Sequence, residues 1–179
     1  MVGPGLVGGH CIGVDPHYLV SCAESLGIFP EIMLTARRRN ESVASRIVAS
    51  AVKTLACMDV RLVSARVGVL GMTFKENVPD TRNSKSFGII AGLKDMGITP
   101  LVSDPFATIK DCIDQKVELT NVDAMTKLDL LILAVPHRTY LESGGRNVQD
   151  MIRCGGALMD VRSALSSDQI RDDLHYWSL

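Results

Sequence analysis

The sequence ARVGVLGMTF, residues 65–74, is a short run of β-branched and small apolar residues that stops at turn formers. A run of this length, with no polar alternation, predicts a strand buried on both faces, as in a parallel sheet. LDLLILAVP (128–136) repeats the pattern more strongly. Between the two lie a polar loop, KENVPDTRNS (75–84), and a helix, KSFGIIAGLKDMG (85–97), closed by Gly97. ITPLVSDP (98–105) follows as a second strand stopped by Asp104-Pro105, then a short helical stretch. VELT (117–120) reads as a third strand and NVDAMTKL (121–128) as a helix. Beyond residue 136, NVQDMIRC (147–154) is expected to be helical, GALMDV (156–161) a strand, and SSDQIRDDL (166–174) a closing helix with a serine cap. Strands alternating with helices at this spacing predict a doubly wound, parallel α/β sheet.

Working towards the N-terminus, the pattern changes near residues 59–65. Asp15-Pro16 is a helix start, with Asp15 as the expected N-cap and proline in the first turn, and that helix should stop at Gly27. Pro30-Glu31 opens a much longer helix reaching about Met58. In it Val43, Ile47, Ala51 and Leu55 fall four apart, flanked by Val48 and Val52, and make one apolar stripe. Such a stripe needs a surface to cover it. The expectation is a helical connector or dimerisation segment over residues 1–62, followed by the α/β domain over 63–179, and a homodimer joined through this helix.

Composition narrows the function. The formal net charge of −1 over 179 residues gives no general attraction to nucleic acid or anionic lipid. Arg37, Arg38 and Arg39 are read as a solvated helix face. The five cysteines are widely spaced without a C-x-x-C pair, and the four histidines stand at no metal-ligand spacing from them, so no metal site is expected. Reduced thiols in a cytoplasm follow. No apolar run reaches the length of a membrane span, and the first residues lack the features of a secretory signal.

Gly3, Gly5 and Gly8 form a G-x-G-x-x-G, but the dinucleotide fingerprint requires a preceding strand, and only Met1 and Val2 stand before it. The loop is still suited to bringing backbone amides close to an anion or a sugar. Cys11 lies in this loop just ahead of the expected helix start, a placement that favours a thiolate. Asp15 is a candidate cap, proton carrier or both. Cys22, Cys57, Cys112 and Cys154 are read as packing residues.

Two long motifs then carry a resemblance. GPGLVGGHCIGVDPHYL (3–19) is similar to the cysteine-loop signature of the UDP-glucose/GDP-mannose dehydrogenase family, and GMTFKENVPDTRNSKSFGII (71–90) resembles that family's second signature. ARRRNESVASRI, LVSDPFA, LILAV, DVRSAL and the final YWSL fall in register with it, so the likeness covers essentially the whole chain. The GGHCIGVDP form most resembles the enzymes that oxidise UDP-N-acetylhexosamines to uronic acids for surface polysaccharides. The resemblance implies a Rossmann-like UDP-binding domain and NAD as cofactor. It makes Cys11 the nucleophile that captures the C6 aldehyde, and Asp15 the acid assisting proton movement. It places the Gly3, Gly5 and Gly8 loop, Phe74, Lys75 and Arg162 on the UDP-sugar, Cys11 to Val14 against the nicotinamide, and Arg82 on the cofactor pyrophosphate.

Departures accompany it. The family places an N-terminal NAD-binding domain and a catalytic lysine ahead of the cysteine loop, and the chain is expected to be the C-terminal part of such an enzyme, inactive alone. His17 stands where a tyrosine is expected, and Gly13 where proline is more usual. A nucleotide-sugar binding or dimerisation module without turnover is the competing reading. A flavodoxin-like regulator is disfavoured, because no acidic pocket or phosphate loop stands at the strand ends.

Overall fold

Strand β1 (Val67–Leu70) is buried at every residue and forms the middle of a parallel pairing with β2 (Leu101–Ser103) on one side and β3 (Leu128–Leu133) on the other. β4 (Ile152–Asp160) and β5 (His175–Ser178) extend the sheet beyond β3, giving five parallel strands in the order β2-β1-β3-β4-β5. This arrangement comes from a computed structural model that describes residues 5–9, 11–113 and 115–179. It is the doubly wound α/β architecture that the strand patterns predict. The order is one of the two common doubly wound orders, with its switch point between β1 and β3.

The pleat sorts the core into two layers. Val67, Val69, Leu130, Ile132, Ala157 and Met159 face one side. Leu70, Leu131, Leu133 and Leu158, the residues between them, face the other. The first side is covered by α2 (Glu31–Cys57), α3 (Ser86–Asp95) and α4 (Ile109–Ile113). The second is covered by two short helices, α5 (Arg138–Leu141) and α6 (Arg146–Gln149), through Tyr140 and Val148. α1 (Asp15–Ser25) lies beside α2.

The stripe on α2 finds its partner inside the chain. Val43, Ile47, Val48, Ala51 and Leu55 are buried with Ile89, Ile90 and Leu93 of α3. Gly88 and Gly92 allow this close packing: a Cβ on Gly92 would stand 2.9 Å from Val48 Cγ2, and one on Gly88 3.2 Å from Ala44 Cβ. The stripe is therefore not the surface on which a second copy could sit.

Several local expectations are corrected. Asp15 does not cap its helix: Val14 holds the N-cap position, no side chain caps it, and Asp15 is the acidic residue of the first turn. VELT makes only an isolated parallel bridge, Leu119 to Val102. Val122–Ala124 is one 3-10 turn, capped by Asn121, whose side chain accepts from Asp123 N. Of the helix expected over 147–154 only the first three residues are helical, as part of α6 (Arg146–Gln149), because Ile152, Arg153 and Cys154 belong to β4. Residues 166–174 hold one 3-10 turn, Ser167–Gln169, without a side-chain cap. The buried Gln149 pins that segment instead: its Oε1 accepts from Arg171 N at 2.8 Å and its Nε2 donates to Gln169 O at 3.0 Å. None of the helices among the described residues is long and apolar enough to cross a membrane.

Candidate functional site

In an open parallel sheet the loops that follow the strands gather at one edge, where ligands bind. At the β1/β3 switch point the chain fills its own crevice. Gly71 (φ +91) passes directly against Val135, so that a Cβ there would collide with that residue's backbone N and O. Just beyond, Asp104 follows β2 and accepts from the amides of Met72, Thr73, Phe106 and Ala107 and from His137 Nε2 at 3.0 Å. Burial pushes the Asp104 carboxyl up, but the hydrogen bonds from His137, Met72 and Phe106 outweigh it and hold it below its ordinary range. Asp160, the last residue of β4, does the same work, accepting from Arg162 N at 3.1 Å and Leu165 N at 2.8 Å.

These carboxylates set the loops that carry the candidate residues. The glycine loop lies over them. Backbone rises so close to Phe74, Asn83 and Arg162 that side chains are excluded: a Cβ on Gly8 would stand 2.7 Å from Asn83 O, one on Gly9 3.1 Å from the Phe74 ring, and one on Gly5 would overlap Arg162. Asn83 Nδ2 donates to Gly9 O at 3.4 Å, and Asn40 Nδ2, from α2, donates to Val7 O at 3.1 Å. Thus Gly5, Gly8, Phe74 and Arg162 are brought together from three distant parts of the sequence, while Gly3 lies outside the described residues.

A cavity of about 730 Å³ opens beside this loop, with Gly8, Gly13, Val14, Arg37, Arg82 and Lys85 in its wall. Arg82 forks onto Asp80, Nη2 to Oδ2 at 2.6 Å and Nε to Oδ1 at 3.0 Å. Those hydrogen bonds raise the guanidinium above its ordinary value. Lys85 pairs with Glu41 at 3.0 Å. Arg37, expected to be a solvated face, is half-buried and lines the cavity.

Cys11 is exposed, and its carbonyl accepts from Val14 N (2.9 Å) and Asp15 N (2.8 Å). With His17 N bound to Val14 O and Pro16 lacking a donor, the amides at this helix start are already committed to carbonyls. Asp15 is exposed one turn away. Lys75 is also exposed, and its ammonium makes no ion pair with the described residues, whereas Arg162 stands 3.7 Å from Glu76 Oε2. Of the other cysteines only Cys112 packs inside, where burial raises its thiol. Cys22, Cys57 and Cys154 are exposed, because they occupy the outward faces of α1, α2 and β4. A second cavity, about 650 Å³, lies by Ser103, Met125, Tyr140 and Asn147 and is lined by none of the sequence candidates.

The pattern reading missed Asp104, His137 and Asp160 as organisers of the site. The signal available was positional: polar residues at the last place of a buried strand or up to four places beyond it, inside LVSDPFA and DVRSAL for the two aspartates.

A parallel doubly wound sheet with a glycine loop and cations at its carboxyl edge is the arrangement on which α/β proteins commonly hold nucleotides. The chain belongs to the UDP-glucose/GDP-mannose dehydrogenase family, residues 68–167 matching its UDP binding domain. It is 36% identical over 179 residues to Protein CapL of Staphylococcus aureus, covering 98% of this chain and 42% of that protein. It is also 36% identical over 167 residues to the UDP-N-acetyl-D-glucosamine 6-dehydrogenase of Pseudomonas aeruginosa, covering 93% of this chain and 40% of that one. The chain thus spans about two fifths of the length of these relatives. The fold is shared with the NDP-N-acetyl-D-galactosaminuronic acid dehydrogenase of Methanosarcina mazei Go1, at a TM-score of 0.83 and 20% identity over 99% of this chain and 39% of that one.

Proposed function

We propose that the chain is the C-terminal part of an NAD-dependent UDP-sugar 6-dehydrogenase that oxidises a UDP-N-acetylhexosamine, or a UDP-glucose-like substrate, to the uronic acid for surface polysaccharide. The observation that carries this reading is the seating of the cysteine-bearing glycine loop on Phe74, Asn83 and Arg162 at the carboxyl edge of the sheet. Residues 63–179 are the UDP-sugar-binding domain in this reading, and residues 1–62 contribute the cysteine loop and the central helices.

Each residue has a task that its position supports. Backbone at Gly5 and Gly8, free of side chains, allows close approach of the sugar nucleotide, with Phe74 beside it. Lys75 and Arg162 supply charge to the diphosphate, Lys75 without an ion pair among the described residues and Arg162 by loosening from Glu76. The Cys11 thiol adds to the C6 aldehyde, forming a carbon–sulfur bond as the aldehyde oxygen takes up a proton to give a thiohemiacetal. Loss of a hydride from C6 and of the hydroxyl proton leaves a thioester, and water then adds at the acyl carbon and expels the sulfur, which regains its proton as the acid is released. Asp15, one turn from Cys11, carries protons in these steps. The groups lining the 730 Å³ cavity suit a dinucleotide: Arg82, Lys85 and Arg37 for the diphosphate, and Gly13 and Val14 as a close apolar wall. NAD supplies the acceptor for the two electrons of each oxidation. Arg82 reaches a phosphate by turning its exposed guanidinium away from Asp80.

Two experiments test the reading. Calorimetry with UDP and UDP-N-acetylglucosamine on the 179-residue chain is expected to show binding without NAD reduction, since the dinucleotide fold and the catalytic lysine are contributed by other parts of the enzyme. In enzyme completed with an N-terminal domain, Cys11→Ser should abolish uronic-acid formation and leave UDP-sugar affinity nearly intact. Full two-step turnover by Cys11→Ser would remove the catalytic assignment.

A further inference from the structure

His137 is wholly buried, directly beyond β3, and its two ring nitrogens face different kinds of partner. Asn77 N donates to Nδ1 at 2.9 Å. A backbone amide can only donate, so Nδ1 bears the lone pair and Nε2 bears the hydrogen. That hydrogen faces Asp104 Oδ2 at 3.0 Å and Thr73 Oγ1 at 3.2 Å. Thr73 passes its own hydroxyl hydrogen to Lys75 O at 2.9 Å. The next residue along, Arg138, donates its amide to Asn77 Oδ1 at 2.9 Å. Residues 73, 75 and 77 therefore hang on one imidazole, and Asn77 is held in the left-handed region (φ 59). Phe74 and Lys75 lie inside this span.

Filling space does not require this arrangement. Phe106 and Tyr140 flank the ring, at centroid distances of 4.9 and 5.6 Å, and an apolar side chain of similar size would pack between them. Burying a carboxylate against an imidazole costs desolvation that a hydrocarbon avoids. What the imidazole alone provides is an acceptor for the Asn77 amide on one edge and a donor to a fixed anion on the other. Anchored at Asp104, which four backbone amides hold, the ring transfers the rigidity of the sheet edge to an exposed loop.

We propose that His137 is a positioning residue, locked as the Nε2–H tautomer by Asp104, that sets the 73–77 turn so that Phe74 and Lys75 meet the nucleotide sugar. The proposal rests on the UDP-sugar reading above. It separates two isosteres of the halves of the ring. His137→Asn brings an amide oxygen to the place of Nδ1 and keeps the acceptor for Asn77 N. His137→Gln reaches towards Asp104 and leaves that amide without a partner.

The test uses the 179-residue chain, with UDP-N-acetylglucosamine as the calorimetric probe, melting temperature as the stability control, and hydrogen exchange at the Asn77 amide as the local readout. Both variants should melt lower than wild type. His137→Asn should keep affinity within about threefold and keep the Asn77 amide protected. His137→Gln should bind about tenfold more weakly and exchange that amide freely, a loss equivalent to about one hydrogen bond. Affinity falling in both in step with melting temperature, or unchanged in both, overturns the proposal. If wild type binds no UDP-sugar, the proposed function fails, and positioning is then decided by exchange: equal protection of Asn77 in the two variants overturns it. Thr73→Val, near in shape, cuts the link to Lys75 O from the loop side and serves if neither His137 variant folds. Unchanged affinity in that variant counts against the proposal.

Discussion

Asp104 gathers hydrogen bonds from the loops after β1, β2 and β3, and its charge state should be visible in stability. Its oxygens face the amides of Met72, Thr73, Phe106 and Ala107 and the His137 ring, and they are buried. Its folded pKa lies below the ordinary value of 3.8, so the carboxylate contributes stability above about pH 4, and the contribution is lost as pH falls through the folded value. Asp104→Asn should cost at least about 2 kcal/mol at neutral pH, because buried amides lose a charged acceptor. Denaturant melts of the variant and wild type should converge below pH 4; a constant gap down to pH 2 would show that the charge is not what matters. On the binding side, Lys75→Ala and Arg162→Ala should each weaken UDP-sugar binding by about 1–3 kcal/mol in calorimetry with little change in melting temperature. Arg162→Ala without effect would leave that residue to Glu76 and the Gly5 loop alone. Asp104 was legible in the sequence only as the end of a strand. Nothing in its spacing ties residue 104 to residue 137, because the pairing is made by two parallel strands whose neighbourhood depends on the whole topology.

Buried apolar runs announce themselves, and short polar-rich elements do not. β1 and β3 read directly from the sequence because every residue of β1 and all but one of β3 are buried. β5 did not, since His175 and Ser178 are exposed and the other two half-buried, as befits an edge. β4 begins within residues that resemble a helix: Ile152, Arg153 and Cys154 precede a left-handed Gly155, and the register against β3 shifts between Leu128 and Leu130. Such an irregularity hides the alternation that periodicity needs. The long helix was legible in extent, since α2 ends at Cys57, but its partner was not, because a stripe says only that something covers it. Ile47 is fully buried among α3 and sheet residues, so Ile47→Ala should destabilise the fold by about 2–5 kcal/mol. A variant that melted normally would show that α2 is docked less firmly than its burial indicates. Gly71→Ala, which adds a Cβ at φ +91 against Val135, should cost about 1–3 kcal/mol by the same measurement.

At the scale of the molecule, the longest run of exposed apolar residues lies on α1, the turn after it, and the first turn of α2, with Val63, Ile12 and Ile113 exposed singly elsewhere. Ile32 is 87% exposed, Leu26 71% and Phe29 65%, with Tyr18, Leu19 and Ile28 close to them in sequence. Isolated exposed apolar residues are ordinary, but a series of this density is characteristic of association surfaces. The homodimer expected from the long helix is therefore proposed through this end, now that residues 43–55 are accounted for inside the chain. The two ends of α2 make opposite predictions. A charge at Ile47 should unfold the chain. Ile32→Glu combined with Phe29→Glu should leave the melting temperature of dilute protein unchanged and weaken self-association by at least about tenfold in sedimentation equilibrium. Wild type should then melt higher as its concentration rises, because association stabilises only the folded state, and the double variant should not. A wild type that sediments as a monomer at every concentration, or a dimer that the two charges leave intact, would remove this surface from the assembly.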